Sequence, residues 1–240
     1  MRENEWTSDP VAYFAEGAGK AQAPARSGSR SRNSPLGKCR LARFCKPRYF
    51  AAMLPVLEDP AIRARVHGIS VEDYHTMIEC GAAGENLELL RGALVEKMSK
   101  SSLHSKIVMR LLRWLMRELP AGFFVRPEQP LTLADSEPEP DIAIIAGDDT
   151  EMDAGHPTNA EVIIEVCVSS EAIDRLKLQI YAEAGVRECW LVLAEERVVE
   201  RHTAPQGTAY LNIERITFPG AIASIAFPTL ALPPRGLFPE

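Results

Sequence analysis

Long apolar runs are missing from this 240-residue chain. No stretch approaches the roughly 20 residues needed to span a bilayer, and the opening MRENEWTSDP lacks the basic-then-apolar order of a secretory signal. Cysteine is scarce: five residues, an odd count, with no CxxC pair. That spacing argues against a disulfide framework or a structural zinc site, and for reduced thiols in the cytoplasm. Neither G-x-x-x-x-G-K-[ST] nor G-x-G-x-x-G occurs, so nucleotide hydrolysis and Rossmann binding have no support. No Ser–His–Asp or Cys–His arrangement, helix-turn-helix, zinc finger or internal repeat is visible, and any target preference must come from loops or a partner.

What is present is ordinary globular material: 46% hydrophobic and 25% charged residues, enough for one sizeable domain and a tail. Charge is divided unevenly. The first 52 residues hold ten basic and four acidic side chains, a balance of +6, which leaves −12 for the remainder of a chain whose net charge is −6. Residues 1–52 are rich in Ala, Gly, Ser, Pro and Arg without hydrophobic periodicity, and read as a disordered basic extension. It is either an arm for phosphate contacts or a dispensable stretch upstream of a start at Met53. Residues 53–240 form the domain.

The domain is organised around Pro138–Val192. PEPDIAIIAG and AEVIIEVCV read as strands, followed by a helix over Ser170–Ala184 and a third strand, ECWLV. Asp141 opens the first apolar run and Glu165 interrupts the second, a pattern with apolar side chains on both faces. An unpaired buried carboxylate costs several kcal/mol unless it is protonated, paired or metal-bound. Two on neighbouring strands would make a hard, oxygen-rich pocket suited to Mg²⁺. Ile163, Glu165 and Cys167 share one strand face. On the helix, Asp174, Lys177 and Tyr181 form a polar strip beside the apolar stripe of Ile173, Leu176, Ile180 and Ala184. Lys177 could turn back toward the two acids, or pair with Asp174 on its own helix.

Pro140-Asp141, Glu165-Val166-Cys167, Asp174, Lys177, Tyr181-Ala182 and Gly185-Val186-Arg187-Glu188-Cys189-Trp190 together resemble the Uma-two family of restriction-endonuclease-like proteins, within the PD-(D/E)xK nuclease superfamily. The resemblance runs from about Val66 to Phe238 and is most specific after Glu165. It implies an α/β fold: a restriction-endonuclease-like core with a mixed central sheet flanked by helices, plus extra C-terminal antiparallel strands. It also implies a Mg²⁺ site, with Mn²⁺ as a substitute, made by Asp141, Glu165 and the backbone carbonyl of Val166. The family pattern places Lys two residues after its Glu. Here that position is Cys167, and Lys177 from the following helix is the substitute. Glu88 matches a family Glu before a Gly turn, either a further active-site carboxylate or a solvent-facing strand residue.

Elsewhere, Ser70 caps a helix from Val71 to Cys80, and LELLRGALVEKM reads as a hairpin turning at Arg91-Gly92. Leu103–Leu119 is a long amphipathic helix stopped by Pro120. His104 in its first turn is structural or serves phosphate binding or proton transfer. Lys106, Arg110, Arg113 and Arg117 form its basic outer face, solvated or in contact with a DNA backbone. Phe123–Leu133 reads as a peripheral strand kinked at Pro127 and Pro130. Arg197–His202, Tyr210–Ile216 and Ala221–Phe227 read as further strands, the His202 strand being exposed.

The reading that follows is a Mg²⁺-dependent endonuclease acting on DNA, with Asp141, Glu165, Lys177 and Glu88 at the site. The alternatives are a catalytically inactive nuclease-fold module that binds nucleic acid or a protein, and a hydrolase of another phosphate ester. A homodimer is left open, and a membrane partner is not expected.

Overall fold

Three apolar runs, IAIIA, VIIEVC and ECWLVL, are buried along nearly their whole length and form the middle of one sheet. The computed structural model describes residues 58–148, 155–217, 220–232 and 236–238. The expectations for residues 1–52 lie outside them. In chain order the elements are α1 (Pro60–Arg63), α2 (Val71–Glu79), β1 (Leu87–Leu90), β2 (Ala93–Glu96), α3 (Ser102–Glu118), β3 (Phe123–Pro127), β4 (Ile142–Ala146), β5 (Val162–Cys167), α4 (Glu171–Glu183), β6 (Glu188–Leu193), β7 (Val198–Gln206), β8 (Ala209–Thr217), β9 (Ile222–Ala223) and β10 (Ala231–Leu232).

Strands β3 to β8 form a six-stranded sheet in sequence order. Only β5 and β6 run parallel within it, and the chain passes between them through α4, the long crossover that parallel neighbours require. The fold is mixed α/β with a helix on each face. On one face Ile107, Leu111 and Leu115 of α3 pack on Ile142, Ile164, Val166 and Trp190. On the other, Leu178 and Tyr181 of α4 pack on Ile163, Cys167 and Leu191. Among the described residues no helix is long and apolar enough to cross a membrane.

The β1–β2 hairpin stands apart from this sheet. Its two turn residues, Arg91 and Gly92, have φ of 50° and 74°, the left-handed pair of a type I′ turn. A Cβ on Gly92 would lie 2.9 Å from the Gly68 Cα, so glycine is required there on two counts. The loop leading to β4 docks on this hairpin: the Glu137 amide donates to the Leu89 carbonyl at 2.7 Å, and the Glu139 amide to Glu88 Oε2 at 3.1 Å.

Three expectations need correction. The strand from Phe123 ends at Pro127, because Glu128 takes a φ of 53° and turns the chain out of the sheet. Of Ala221–Phe227, only Ile222–Ala223 is a strand. Ser224, Ile225 and Ala226 instead turn their donors onto the buried Glu188 carboxylate, at 2.8, 2.9 and 2.9 Å. His202 is buried rather than exposed, against Glu200 and Tyr210.

Candidate active site

Asp141 sits one residue before β4, and Glu165 is the fourth residue of β5. Ile142 pairs with Ile164 across the antiparallel ladder, so the next step brings Asp141 level with Glu165. The two are tied reciprocally: the Asp141 amide donates to Glu165 Oε2 at 3.2 Å, and the Val166 amide donates to Asp141 Oδ2 at 2.8 Å. Lys177, in the second turn of α4, enters from above the sheet with only 6% of its surface exposed. Its Nζ lies 2.9 Å from Glu88 Oε2 and 3.6 Å from Glu165 Oε1, and donates to the Glu139 carbonyl at 3.2 Å. Thus the hairpin, the β4 approach, β5 and α4 each deliver one of the four side chains singled out from the sequence. Glu88 is buried and faces the lysine, not solvent. Asp174 does not take the lysine; it accepts a hydrogen bond from Ser170 Oγ at 2.5 Å.

These residues and Val166 line one cleft, with Lys97, Lys100, His104 and Glu139 at its walls. It offers about 80 Å³ to water-sized occupants, where a single water needs roughly 10–15 Å³. There is room for several waters or a partly hydrated ion.

Three contributors escaped the sequence reading as site residues. Tyr181 Oη donates to Glu165 Oε1 at 2.7 Å; its place one helical turn after Lys177 was the available signal. Lys100 Nζ stands 3.6 Å from Asp141 Oδ1 and 2.8 Å from Glu128. Lys97 pairs with Glu139. Neither lysine carries a sequence signal, because both lie in the loop between β2 and α3. His104, weighed as structural or as serving phosphate binding or proton transfer, brings Nε2 to 2.9 Å from Asp141 Oδ2, while its buried Nδ1 has no partner among the described residues.

The electrostatics differ from acid to acid. Burial drives the Glu165 carboxyl up to about 8, reinforced by Asp141 and Asp174 and opposed by Lys177 and the Tyr181 hydrogen bond. Burial also acts on Asp141, but the hydrogen bond and charge of His104, the Val166 amide and Lys100 outweigh it and hold that carboxyl below its ordinary value. Burial raises Asp174 against the pull of Ser170 and Lys177. For Lys177 burial acts downward, yet Glu165 and Glu88 win, and the amine is held charged well above its usual range. Cys167, where the family pattern has its lysine, is buried and its thiol is pushed up to about 11. It brings no charge; the buried amine comes from α4.

Among the described residues, no three His, Cys, Asp or Glu side chains are gathered in a metal-ligating array. Zn²⁺ and Ca²⁺ rely on a fuller protein shell, whereas Mg²⁺ keeps several waters and is held by one or two carboxylates. Asp141 and Glu165 are such a pair, all-oxygen and adjacent. A dication would also stabilise the ionised form of Glu165, which burial otherwise disfavours. The donor set fits Mg²⁺.

The family model "Uma2: Putative restriction endonuclease" matches residues 71–234. Among solved structures, a chain described as a putative nuclease belonging to DUF820 from Anabaena variabilis ATCC 29413 shares the fold, with a TM-score of 0.57 at 16% identity. The match covers 71% of this chain and 97% of that one. No curated protein matches.

Proposed function

The chain belongs to the Uma2 family of putative restriction endonucleases, and from that premise we propose that it is a divalent-metal-dependent endonuclease hydrolysing phosphodiester bonds of DNA. The observation that carries this reading is the buried amine of Lys177, 2.9 Å from Glu88 and 3.6 Å from Glu165, in a cleft that also holds Asp141. Asp141, Glu165 and the Val166 carbonyl would hold Mg²⁺, or Mn²⁺ in its place. When bound, the ion would withdraw charge from the scissile phosphate and ease deprotonation of the attacking water.

The chain's own groups have distinct tasks. His104 and the Val166 amide fix the Asp141 carboxylate from two directions. Tyr181 and the Asp141 amide fix that of Glu165. Glu88 and the Glu139 carbonyl anchor the Lys177 ammonium before substrate arrives. A cation already in place gains on the charge that grows at the phosphate oxygens without reorganising at the moment of reaction.

Supercoiled plasmid incubated with the wild type and with Asp141→Ala, Glu165→Ala and Lys177→Ala tests the proposal. Nicking by the wild type in Mg²⁺ or Mn²⁺, abolished by chelation and lost in the variants, supports it. Equal cutting by all four would mark a contaminant. A folded wild type that binds DNA and never cuts it would favour a binding module that has lost turnover.

A further inference from the structure

The stretch from Lys97 to Arg117 contains six basic residues and no acidic one. It lies in a body whose acidic residues otherwise prevail. Four of the six, Lys106, Arg110, Arg113 and Arg117, fall on α3 at i, i+4, i+7 and i+11, a single strip along the helix. The opposite face of α3 is committed to the sheet through Ile107, Leu111 and Leu115, so the strip faces outward. Lys106, Arg113 and Arg117 are exposed there, and Arg110 is half-buried with one donor on the Leu237 carbonyl.

Four arginines elsewhere on this protein are paired with acids. Arg91 meets Glu183, Arg175 meets Glu171 and Glu200, Arg201 meets Glu214, and Arg215 meets Glu196 and Glu200. On the strip, among the described residues, Arg117 pairs with no acid but its exposed neighbour Glu118. Among the described residues, Lys106 and Arg113 have no acidic partner. Cations left uncompensated in an acidic body favour a polyanionic partner. From Lys106 to Arg117 the helix rises about 16 Å, the axial length over which one strand of B-DNA presents about five phosphates. The N-terminal end of α3 carries His104, and the loop before it Lys100, both lining the cleft beside Asp141.

We propose that the outer face of α3 is the surface that grips the phosphate backbone of duplex DNA beside the cleft. The choice of DNA rests on the nuclease reading; the surface itself rests on the charge pattern. Each contact is a counterion-releasing one, independent of sequence and of metal.

The test is fluorescence anisotropy of a labelled duplex with the full chain in EDTA, across a salt series, for wild type and Lys106→Gln/Arg113→Gln/Arg117→Gln. Three lost phosphate contacts should lower the slope of log K against log salt by about 3, with affinity at low salt down roughly tenfold or more. A charge-matched control, Arg63→Gln/Arg65→Gln/Arg187→Gln, should leave the slope unchanged. An unchanged slope in the α3 variant, an equal drop in the control, or a wild type that binds no duplex would each overturn the proposal. Plasmid cleavage separates it from the nuclease reading. A wild type that binds with the predicted slope loss yet never cuts sinks the enzyme and keeps the surface. Cutting with an unchanged slope in the α3 variant does the reverse.

Discussion

Glu165 and Glu200 are both buried carboxylates on the same sheet, and their surroundings are opposite. Glu200, on β7, is gripped by both nitrogens of an Arg175 fork at 3.0 and 3.2 Å and by Arg215 at 2.9 Å. Burial would raise its carboxyl, but Arg175 and then His202 reverse this and hold it below its ordinary value. Glu165 shares one amine with Glu88 and lies among Asp141 and Asp174, and its carboxyl is driven up to about 8. The two acids stand in one row across the sheet, with Leu191 between them; Glu200 has more positive than negative groups on it, whereas Glu165 is short of positive charge and opens on a cleft. A carboxylate neutralised by its own chain holds a structure together, whereas one left short of charge keeps its proton or takes a cation from outside.

The sharpest contrast lies in activity. Asp141→Ala or Glu165→Ala should lower Mg²⁺-dependent plasmid cleavage by about a thousandfold, while Arg175→Ala leaves the rate per folded molecule within about twofold. Parity between the two acids' surroundings would erase the distinction.

Next is the lysine. Lys177→Met should slow cleavage by roughly a hundredfold, and it should also cost about 3–5 kcal/mol in urea unfolding, because Glu88 and Glu165 lose their counter-charge in a buried place. Glu88→Gln/Lys177→Met should recover much of that stability and none of the rate. Recovery of both would make Lys177 a structural group like Arg175.

At Glu200, Arg175→Ala should cost about 1–2 kcal/mol, since Arg215 stays on Glu200 and Arg175 is partly exposed. A loss as large as that of Lys177→Met would mean that the two clusters are equally insulated from water.

The pH dependence should divide along the same line. Glu165 in the native protein, at about 8, holds its proton more tightly than at its ordinary value of 4.5. Stability from this group is therefore full at low pH and declines as pH rises from about 4.5 to about 8. Glu200 is shifted downward, so its contribution is present above its ordinary value and disappears on acidification. In thermal melts of metal-free protein, Glu165→Gln should flatten the alkaline limb by several degrees, and Glu200→Gln the acidic limb. The same limb flattened by both would contradict the assignment.

One side of this contrast, that of Glu165, is legible in the sequence. An acid inside VIIEVC and another at the head of IAIIA announce themselves, because strand alternation offers a fully buried strand no solvent-facing position. Helices α2 and α3 and the Ser70 cap follow from spacing and capping chemistry. What stayed hidden depends on distant partners. The sequence leaves Glu88 between an active-site carboxylate and a solvent-facing strand residue, and the docked hairpin places it against α4. His202 sits in VVERHT, whose polar alternation suggests an open face. The Arg175 and Arg215 forks that cover it come from another helix and another strand. Ser224 to Ala226 left the strand pattern because a buried Glu188 needed their donors.

Calorimetric titration of Mn²⁺ into the metal-free full chain at neutral pH tests the charge-deficit account most directly. Wild type and Arg175→Ala should each bind the ion in the cleft, and Asp141→Ala and Glu165→Ala should not. Undiminished binding in Asp141→Ala, or no binding by a folded wild type, would contradict it.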